Sequence, residues 1–416
     1  MHNKCMTSSS PAATNAQALL MEMLDPASRA DPYPTYRRIR ECGPLQLPES
    51  NLAVFTSFAD CDEVLRHPAS SSDRMKSTIA QRQLETETEP RRGTTSFLFL
   101  DAPDHTRLRK LVSKAFVPKV VKALEPDITA LVDGLLDEAA VADGPFDVIT
   151  GLAYPLPVAV ICRLLGVPIE DEPRFSWASE LLAAALDPFL ALTGETSDLF
   201  DQQMQAGLWL NEYLRELIER RRRQPGDDLM SGLIQVEESG DQLTEDEIIA
   251  TCNLLLIAGH ETTVNLIANA TLAMLRHPNE WAALGADAGR AHAVVEETMR
   301  FDPPVQLVSR IAGEDMKIGD VAVPKGDFMM LLLAAAHRDP AANERPDEFD
   351  PDRASIRHIG FGKGPHFCLG APLARLEAGV ALSAMTARFP QARLAADPVY
   401  KRNLTLRGMS TLSVEV

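Results

Sequence analysis

The chain contains 416 residues, of which 45% are hydrophobic and 24% charged, the composition of an ordinary soluble globular protein. Lysines and arginines number 41 against 59 aspartates and glutamates, a net charge of −18. Such a surface repels nucleic acid and anionic lipid, so neither is expected as a partner. The six cysteines are scattered and include no C-x-x-C pair, which argues against a disulfide framework or a zinc site and favours a reducing cytoplasm.

The N-terminal region contains neither a signal-peptide core nor a membrane anchor. Its apolar run at residues 18–21 is interrupted by Glu22 and is too short to span a bilayer. We predict that residues 1–30 are disordered and that residues 31–416 form one domain, because no linker divides them. A helix over about residues 34–40 opens this domain.

The next predicted elements are short. A strand is expected over residues 52–56, followed by a helix over residues 59–66 that stops before Pro68. Residues 69–99 are polar and irregular until the apolar run Phe97–Leu100. A loop of this length inside a compact domain is usually functional or disordered.

Two basic side chains mark the helix that follows. This helix begins near Pro103 and carries His105 and Arg109 four residues apart, on one face. Both side chains can reach a carboxylate, and arginine is suited to bidentate binding. The alternative interpretation is a solvated basic helix surface.

Helical periodicity dominates the middle of the chain, over residues 120–140 and 152–165. An apolar stretch rich in alanine and leucine follows over residues 175–213. The T-E-D-E sequence that opens residues 244–276 matches a capping box. The helix that it begins would be roughly 50 Å long at about 1.5 Å per residue, enough to cross the whole protein.

The centre of this long helix has an unusual composition, A-G-H-E-T-T over residues 258–263. An interior glycine costs about 1 kcal/mol relative to alanine, and an acid with two threonines suits a buried helix poorly, so the run indicates function. Ala258 and Gly259 leave room for a small ligand such as dioxygen. Thr262 can donate a hydrogen bond to that ligand, and Glu261 can pass protons from solvent. The alternative is a kinked helix with a solvent-facing glutamate.

Two further patterns lie between this helix and the C-terminal region. Glu297 and Arg300 form an E-x-x-R pair, which in isolation would be a surface ion pair worth about a few tenths of a kcal/mol. Residues 311–330 alternate around two glycines in the manner of short hairpin strands.

The most informative stretch is F-G-K-G-P-H-F-C-L-G, residues 361–370, before the predicted helix start at Ala371. Three glycines around one cysteine indicate that the backbone takes positive φ or approaches a large flat ligand closely. The helix start favours an anion, which would lower the pKa of Cys368 and favour its thiolate. A thiolate in such a loop indicates a haem-iron ligand, and a buried structural cysteine is the alternative.

Taken in chain order, these motifs resemble those of the cytochrome P-450 family. Residues 361–370 match its haem-binding string F-G-x-G-x-H-x-C-x-G, residues 258–262 match its acid–alcohol pair A-G-x-[DE]-T, and an E-x-x-R pair lies between them. The resemblance covers about residues 30–416. It implies a mainly α fold with a small β-rich part in a single domain, one haem b, and the soluble, bacterial-type branch of the family.

The resemblance also implies roles for individual residues. Cys368 would ligate the haem iron, and Arg353 would join Glu297 and Arg300 in a buried structural network. The side chains expected on the haem propionates are His105, Arg109, Arg310 and His366. Those expected against the haem are Ala258, Gly259, Phe361 and Gly362. The residues expected to line the substrate pocket, below a mobile lid at 175–213, are Phe97, Leu98, Ala258, Val305, Leu307 and Met409.

The implied reaction is monooxygenation with O2, in which Glu261 and Thr262 deliver the protons. No G-x-G-x-x-G motif for a flavin or a nicotinamide follows a predicted strand. Electrons are therefore expected from a ferredoxin and its NAD(P)H-dependent reductase. The cations expected to form the docking surface are Lys110, Lys114, Lys363 and Arg375.

The apolar residues of the candidate pocket segments predict a lipophilic substrate, and we expect a cytoplasmic monomer. Three alternatives stay open. A peroxide-driven peroxygenase would use the same haem but typically lacks the acid–alcohol pair. A non-catalytic haem-thiolate gas sensor would not need that pair. A zinc or disulfide protein would need cysteine or histidine partners at regular spacing from Cys368.

Overall fold

The computed structural model describes residues 11–86, 95–141, 143–188, 198–238 and 243–416. Helices dominate and the strands are few and short, in agreement with the predicted mainly α fold in a single domain. The helices are α1 Pro11–Leu24, α2 Tyr33–Glu41, α3 Phe58–Arg66, α4 Thr78–Thr86, α5 Asp104–Ser113, α6 Pro118–Ala123, α7 Glu125–Val141, α8 Pro155–Leu165, α9 Glu172–Ala184, α10 Phe200–Arg223, α11 Leu229–Glu238, α12 Glu245–Leu275, α13 Pro278–Ala286, α14 Ala291–Phe301, α15 Leu333–His337 and α16 Ala371–Arg388.

The strands are β1 Leu45–Leu47, β2 Leu52–Phe55, β3 Ser70–Ser71, β4 Phe146–Asp147, β5 Val308–Ala312, β6 Met316–Ile318, β7 Val321–Val323, β8 Phe328–Leu331, β9 Arg393–Leu394, β10 Val399–Tyr400, β11 Met409–Thr411 and β12 Ser413–Glu415. The largest sheet has the order β1-β2-β8-β5-β3, with β2 and β8 parallel. Strand β3 pairs with β5, so Ser71 lies opposite Ile311. This pairing brings the start of the 69–99 segment beside Arg310 on β5.

Order begins earlier in the chain than the sequence predicts. Residues 11–24 form a helix and residues 26–29 a short 3-10 helix, where the sequence predicts disorder up to residue 30. Leu19, Leu20 and Met23 are buried in one hydrophobic cluster with Tyr36 of α2. Their spacing places them on one helix face, and burying that face stabilises a segment whose composition alone favours disorder.

The long central helix α12 has the predicted bounds. Its N-terminus carries a complete capping box, in which the Thr244 hydroxyl accepts from the Glu247 amide at 3.2 Å and Glu247 accepts from the Thr244 amide at 2.9 Å. The helix packs against α8, α9, α10 and α16. It therefore forms both the centre of the core and one wall of the site described below.

Two regions differ from their predicted character. The 69–99 segment contains helix α4 and short 3-10 turns at 74–76 and 97–99, so its described part is more regular than predicted. The apolar 175–213 stretch divides into α9 and the first half of α10, and Phe189 and Leu190 lie outside the described residues.

Among the helices of the described ranges, none has the length and apolar character that crossing a membrane requires.

Glu297, Arg300 and Arg353 meet in a buried network. Glu297 Oε1 lies 2.7 Å from Arg300 Nη2 and 3.0 Å from Arg353 Nε. Arg300 also donates to the backbone carbonyls of Pro346 and Glu348, each at 2.7 Å. Glu297 and Arg300 are fully buried. The network therefore ties helix α14 to the irregular segment that leads into the cysteine loop.

We expect Arg300→Ala to destabilise the protein by about 3–5 kcal/mol, because the Glu297 carboxylate would stay buried without its main partner. Most of the variant should be aggregated or lack cofactor. Denaturant unfolding followed by circular dichroism checks this. The control Arg37→Ala removes a half-exposed surface pair with Asp347 and should cost at most about 1 kcal/mol. A stable, cofactor-loaded Arg300→Ala protein would contradict the structural assignment.

Candidate functional site

The loop around Cys368 is closed by its own backbone. The Cys368 amide donates to the Phe361 carbonyl at 2.7 Å, and the Gly362 amide donates to the Ile359 carbonyl at 2.9 Å. Gly362 and Gly364 have φ of 71° and 65°, a region that glycine adopts without a steric penalty. The third glycine of the loop, Gly370, has φ of −82°, so positive φ occurs at two of the three glycines.

Burial raises the pKa of the Cys368 thiol. The backbone N–H groups of Gly370 and Ala371, at the start of α16, oppose this effect by donating to the sulfur, and the nearby charges of Arg109 and Arg375 act in the same direction. The donors at the helix start therefore act to lower the pKa of Cys368, as predicted, but desolvation raises it by more. A thiol that is shielded and surrounded by donors is suited to a metal cation, because coordination removes the proton.

Two of the predicted basic side chains stack beside this loop. The rings of His105 on α5 and His366 in the loop have centroids 4.0 Å apart. His105 Nε2 is buried and finds no hydrogen-bond partner among the described residues. Burial, with the charges of His105 and Arg310, lowers the pKa of His366 to about 3. Two neutral imidazoles with an unsatisfied nitrogen indicate a polar ligand at this position.

Arg310 and Arg109 complete the basic cluster. Arg310 donates to its neighbouring Ser309 carbonyl at 2.8 Å, and burial lowers its pKa to about 10. Arg109 donates to the Phe367 carbonyl in the cysteine loop. Neither arginine forms an ion pair within the described ranges. The structure thus brings the four predicted propionate residues to one place, where the nearby Asp101 carboxylate acts on the cluster but forms no ion pair with either arginine among the described residues.

The helix face predicted to contact the cofactor is open. Ala258 is exposed and Thr262 partly exposed, although the neighbouring turns of α12 are mostly buried. The Thr262 hydroxyl donates to the Ala258 carbonyl at 3.0 Å, one turn earlier. His260 points elsewhere, with Nδ1 2.6 Å from the Leu256 carbonyl. Ala258 and Thr262 therefore border free space, as a site for a flat group and a small ligand requires.

Gly259 has a packing role that the sequence does not predict. A Cβ at this position would come within 2.8 Å of two side-chain carbons of Ile161 on α8. The glycine is therefore required for the close packing of α12 against α8. The space beside the site comes from Ala258.

Glu261 is buried and does not face solvent. Its Oε1 lies 2.8 Å from Lys401 Nζ, and the Asn265 amide donates to the same oxygen at 3.4 Å. Lys401 follows strand β10, which is distant from α12 in the sequence. The lysine belongs to no motif, so sequence reasoning missed it.

A second missed residue is Arg74, in the segment between α3 and α5. Its guanidinium carbon lies 4.3 Å from the centroid of the Phe99 ring, and it forms no ion pair among the described residues. Burial lowers its pKa, and its charge contributes to lowering that of Arg310. Arg74 belongs to none of the motifs recognised in the sequence, so no local pattern indicated its position.

The predicted pocket residues divide into two groups. Leu98 is 37% exposed and Val305 is half-buried, so both can border a ligand. Phe97 is buried in the main hydrophobic cluster and packs near the His105 ring. Leu307 is buried in the cluster formed with the N-terminal helix. Met409 is completely buried in the main cluster, so the predicted pocket lining is open at Ala258, Leu98 and Val305.

The outer side of the cysteine loop forms a surface cavity of about 440 Å³, lined by residues that include Lys363, Phe367 and Arg375. Arg375 binds the Glu296 carboxylate through two hydrogen bonds of 2.6 and 2.9 Å. Arg375, one of the four cations expected on the docking surface, is therefore already ion-paired within the chain. Its guanidinium also lies 4.4 Å from the Phe361 ring centroid, against the loop.

Residues 45–287 and 291–400 match the family model of cytochrome P450. The fold and the cysteine loop described above agree with this match. The chain belongs to the cytochrome P450 family, whose cofactor is a haem with a cysteine thiolate ligand. Within that family it is a monooxygenase, in line with the activities named for its relatives.

Among the relatives is the vitamin D(3) 25-hydroxylase of Pseudonocardia autotrophica, 40% identical over 393 residues that cover 92% of this chain and 93% of the relative. The crystal structures of Mycobacterium smegmatis CYP164A2, ligand-free and with econazole bound, are 75% identical at a TM-score of 0.92 and cover 96% of this chain and 100% of theirs. The myxobacterial CYP267B1 in complex with myristic acid is 37% identical at a TM-score of 0.84, covering 94% of this chain and 98% of that one.

Proposed function

We propose that this P450 binds haem b through Cys368 and oxygenates a lipophilic small molecule with electrons from a separate protein. The observation that carries the proposal is the cluster of His105, His366, Arg310 and Arg109 beside the cysteine loop. Neither arginine forms an ion pair among the described residues, and the nearby Asp101 carboxylate is bound by Ser71, Ser72 and Lys76. A haem carries two propionates, and this cluster offers donors for both. Ala258 and Thr262, on α12, border the free space in which the ligand would lie.

Cys368 would hold the haem, which would supply the activation of O2, because a thiolate ligand favours O–O cleavage. Over one turnover, O2, two electrons, two protons and a substrate C–H bond give one hydroxylated product and one water. The backbone donors of Gly370 and Ala371 stabilise the sulfur anion on which this chemistry depends. The network around Glu297 keeps the segment before the loop in place.

Thr262 and Glu261 are the proposed route for protons. The Thr262 hydroxyl is bonded to the Ala258 carbonyl, so it is held at the border of the open space and can donate or accept there. Glu261 directly precedes Thr262 in the chain and has the carboxylate needed to pick up a proton. This pair favours a monooxygenase over a peroxygenase, which obtains its protons with the peroxide.

The redox partner is proposed to be a ferredoxin served by an NAD(P)H-dependent reductase. Lys110 on α5 and Lys114 just after this helix are exposed, and Lys363 lines the surface cavity at the cysteine loop. An acidic electron carrier would be attracted to these lysines despite the net negative charge of the whole chain. The enzyme is proposed to act as a cytoplasmic monomer.

The substrate class is proposed from the pocket and from relatives. Of the residues predicted to line the pocket, Ala258, Leu98 and Val305 have exposed surface, and all three are apolar. Relatives are named for vitamin D(3) hydroxylation and for a complex with myristic acid. Both ligands are long and lipophilic, so a sterol-like or fatty-acid-like molecule is the first class to test.

We expect Cys368→Ala to abolish the carbon monoxide spectrum that is characteristic of a thiolate-bound haem. The side chain that supplies the sulfur would be gone, while the basic cluster would still hold the propionates. Spectra of the reduced, carbon monoxide-treated protein check this. The control Cys61→Ala changes a cysteine that is buried elsewhere and should keep the spectrum. An unchanged spectrum in Cys368→Ala would remove Cys368 as the iron ligand.

We expect Thr262→Ala to bind substrates as the wild type does but to release more hydrogen peroxide and less product for each NAD(P)H consumed. Without the hydroxyl, protons reach the reaction site less efficiently, and the coupled rate should fall by about 10²-fold or more, the contribution of one positioned proton-transfer group. The control Thr263→Ala alters the neighbouring buried threonine. Tight coupling in Thr262→Ala would refute the proton role.

We expect the Soret band of the ferric enzyme to shift toward the high-spin form with one class of lipophilic compound, because that class displaces water from the iron. An azole such as econazole should give the opposite shift, since a structure 75% identical to this chain binds it. Titrations with sterols, fatty acids and azoles check both. Small polar compounds that outcompete every lipophilic class would overturn the substrate proposal.

A further inference from the structure

The hairpin of β10 and β11 lies across the middle of α12. Its connecting segment, residues 401–408, is closed by the Lys401 amide donating to the Gly408 carbonyl at 3.0 Å. Gly408 lies so close to α12 that a Cβ there would come within 1.9 Å of Asn265 Oδ1. The Asn269 amide donates to the Arg407 carbonyl at 3.4 Å. The hairpin is therefore fixed along α12 from Glu261 to Asn269.

Among the described residues, the closest polar contact between this hairpin and α12 is the ion pair of Lys401 and Glu261, at 2.8 Å. The two side chains are only 18% and 8% exposed. A buried carboxylate is costly unless a cation balances it. Two other titratable groups interact with Glu261: His260, whose pKa burial lowers, and Tyr154, whose pKa burial raises. Both are neutral near pH 7, so among the described residues Lys401 supplies the balancing charge.

The same hairpin is attached to the lid region. The Asp187 carboxylate, three residues beyond the end of α9, accepts from the backbone N–H groups of Thr405 at 2.7 Å and Leu404 at 3.0 Å. The Thr405 hydroxyl donates to the Leu186 carbonyl at 3.2 Å. A displacement of this end of α9 would therefore be transmitted to the segment that carries Lys401.

We propose that Lys401 is a positioning residue for Glu261. The lysine keeps the carboxylate ionised and bound to the hairpin. Because Asp187 binds the same hairpin, the Lys401–Glu261 ion pair depends on the position of the lid region. Glu261 would exchange protons freely only when the hairpin moves. The inference rests on the proposed proton role of Glu261, and it assigns the control of that role to a residue from a distant part of the chain.

The first test is infrared spectroscopy of the substrate-free ferric holoenzyme at pH 7. In Lys401→Met, the buried carboxyl loses its cation and should be protonated, giving a carboxylic acid band that the wild type lacks. The band should be absent in Lys401→Arg, which keeps the charge, and in the double variant Lys401→Met with Glu261→Gln. Lys317→Met, which removes an exposed lysine paired with Asp320, is the matched control.

The second test is the pH profile of product formed per NAD(P)H. The pH at which yield changes should move upward by about one unit or more in Lys401→Met, a tenfold change in proton affinity, and return in Lys401→Arg. A merely structural role would lower stability and leave this midpoint in place. If Lys401→Met does not retain haem, Lys401→Gln provides the same loss of charge with a polar side chain.

Two results would overturn the inference: no carboxylic acid band in Lys401→Met, or a profile identical to that of the wild type. Failure of the proposed function gives a different signature. If Glu261→Gln alone keeps the wild-type yield, Glu261 does not deliver protons. The proposed control of the reaction by Lys401 is then also wrong, whatever the infrared band shows. If Glu261→Gln loses yield and Lys401→Met does not alter the profile, only the role of Lys401 is wrong.

Discussion

The buried carboxylate of Glu297 is the constraint on which the rest of the structure depends. It is fully buried, so it must be neutralised where it stands, and Arg300 and Arg353 do so at 2.7 and 3.0 Å. The two arginines use their remaining donors on backbone carbonyls of an irregular segment. A single charge thus orders a stretch that has no regular hydrogen-bond ladder of its own, immediately before the cysteine loop.

Helix α12 packs closely against other helices and also leaves one face open for a ligand. Most of its faces are buried and pack against other helices, and Gly259 is small because Ile161 lies against it. One face, at Ala258 and Thr262, stays open. The cost of an interior glycine and of a buried acid is offset by close helix packing and by the Lys401 ion pair.

Local and global electrostatics have opposite signs in this protein. The chain carries a net charge of −18, yet the space beside Cys368 is bordered by His105, His366, Arg310 and Arg109, and neither arginine forms an ion pair among the described residues. Burial holds the two histidines neutral. Desolvated donors of this kind bind an anionic group more strongly than exposed ones would.

The sequence by itself determined the helical class, the α12 capping box, the cysteine loop with its positive-φ glycines, and the grouping of His105 and Arg109. These features are local, or they belong to motifs whose residues lie close together in the chain. Only the tertiary structure decided that Lys401 reaches Glu261 from 140 residues away, that Arg375 binds Glu296, and that Leu307 and Met409 are buried. It also ordered α1, because Leu19, Leu20 and Met23 become a core face only when Tyr36 packs on them. Contacts between distant residues depend on how the whole chain packs, and no local pattern encodes them.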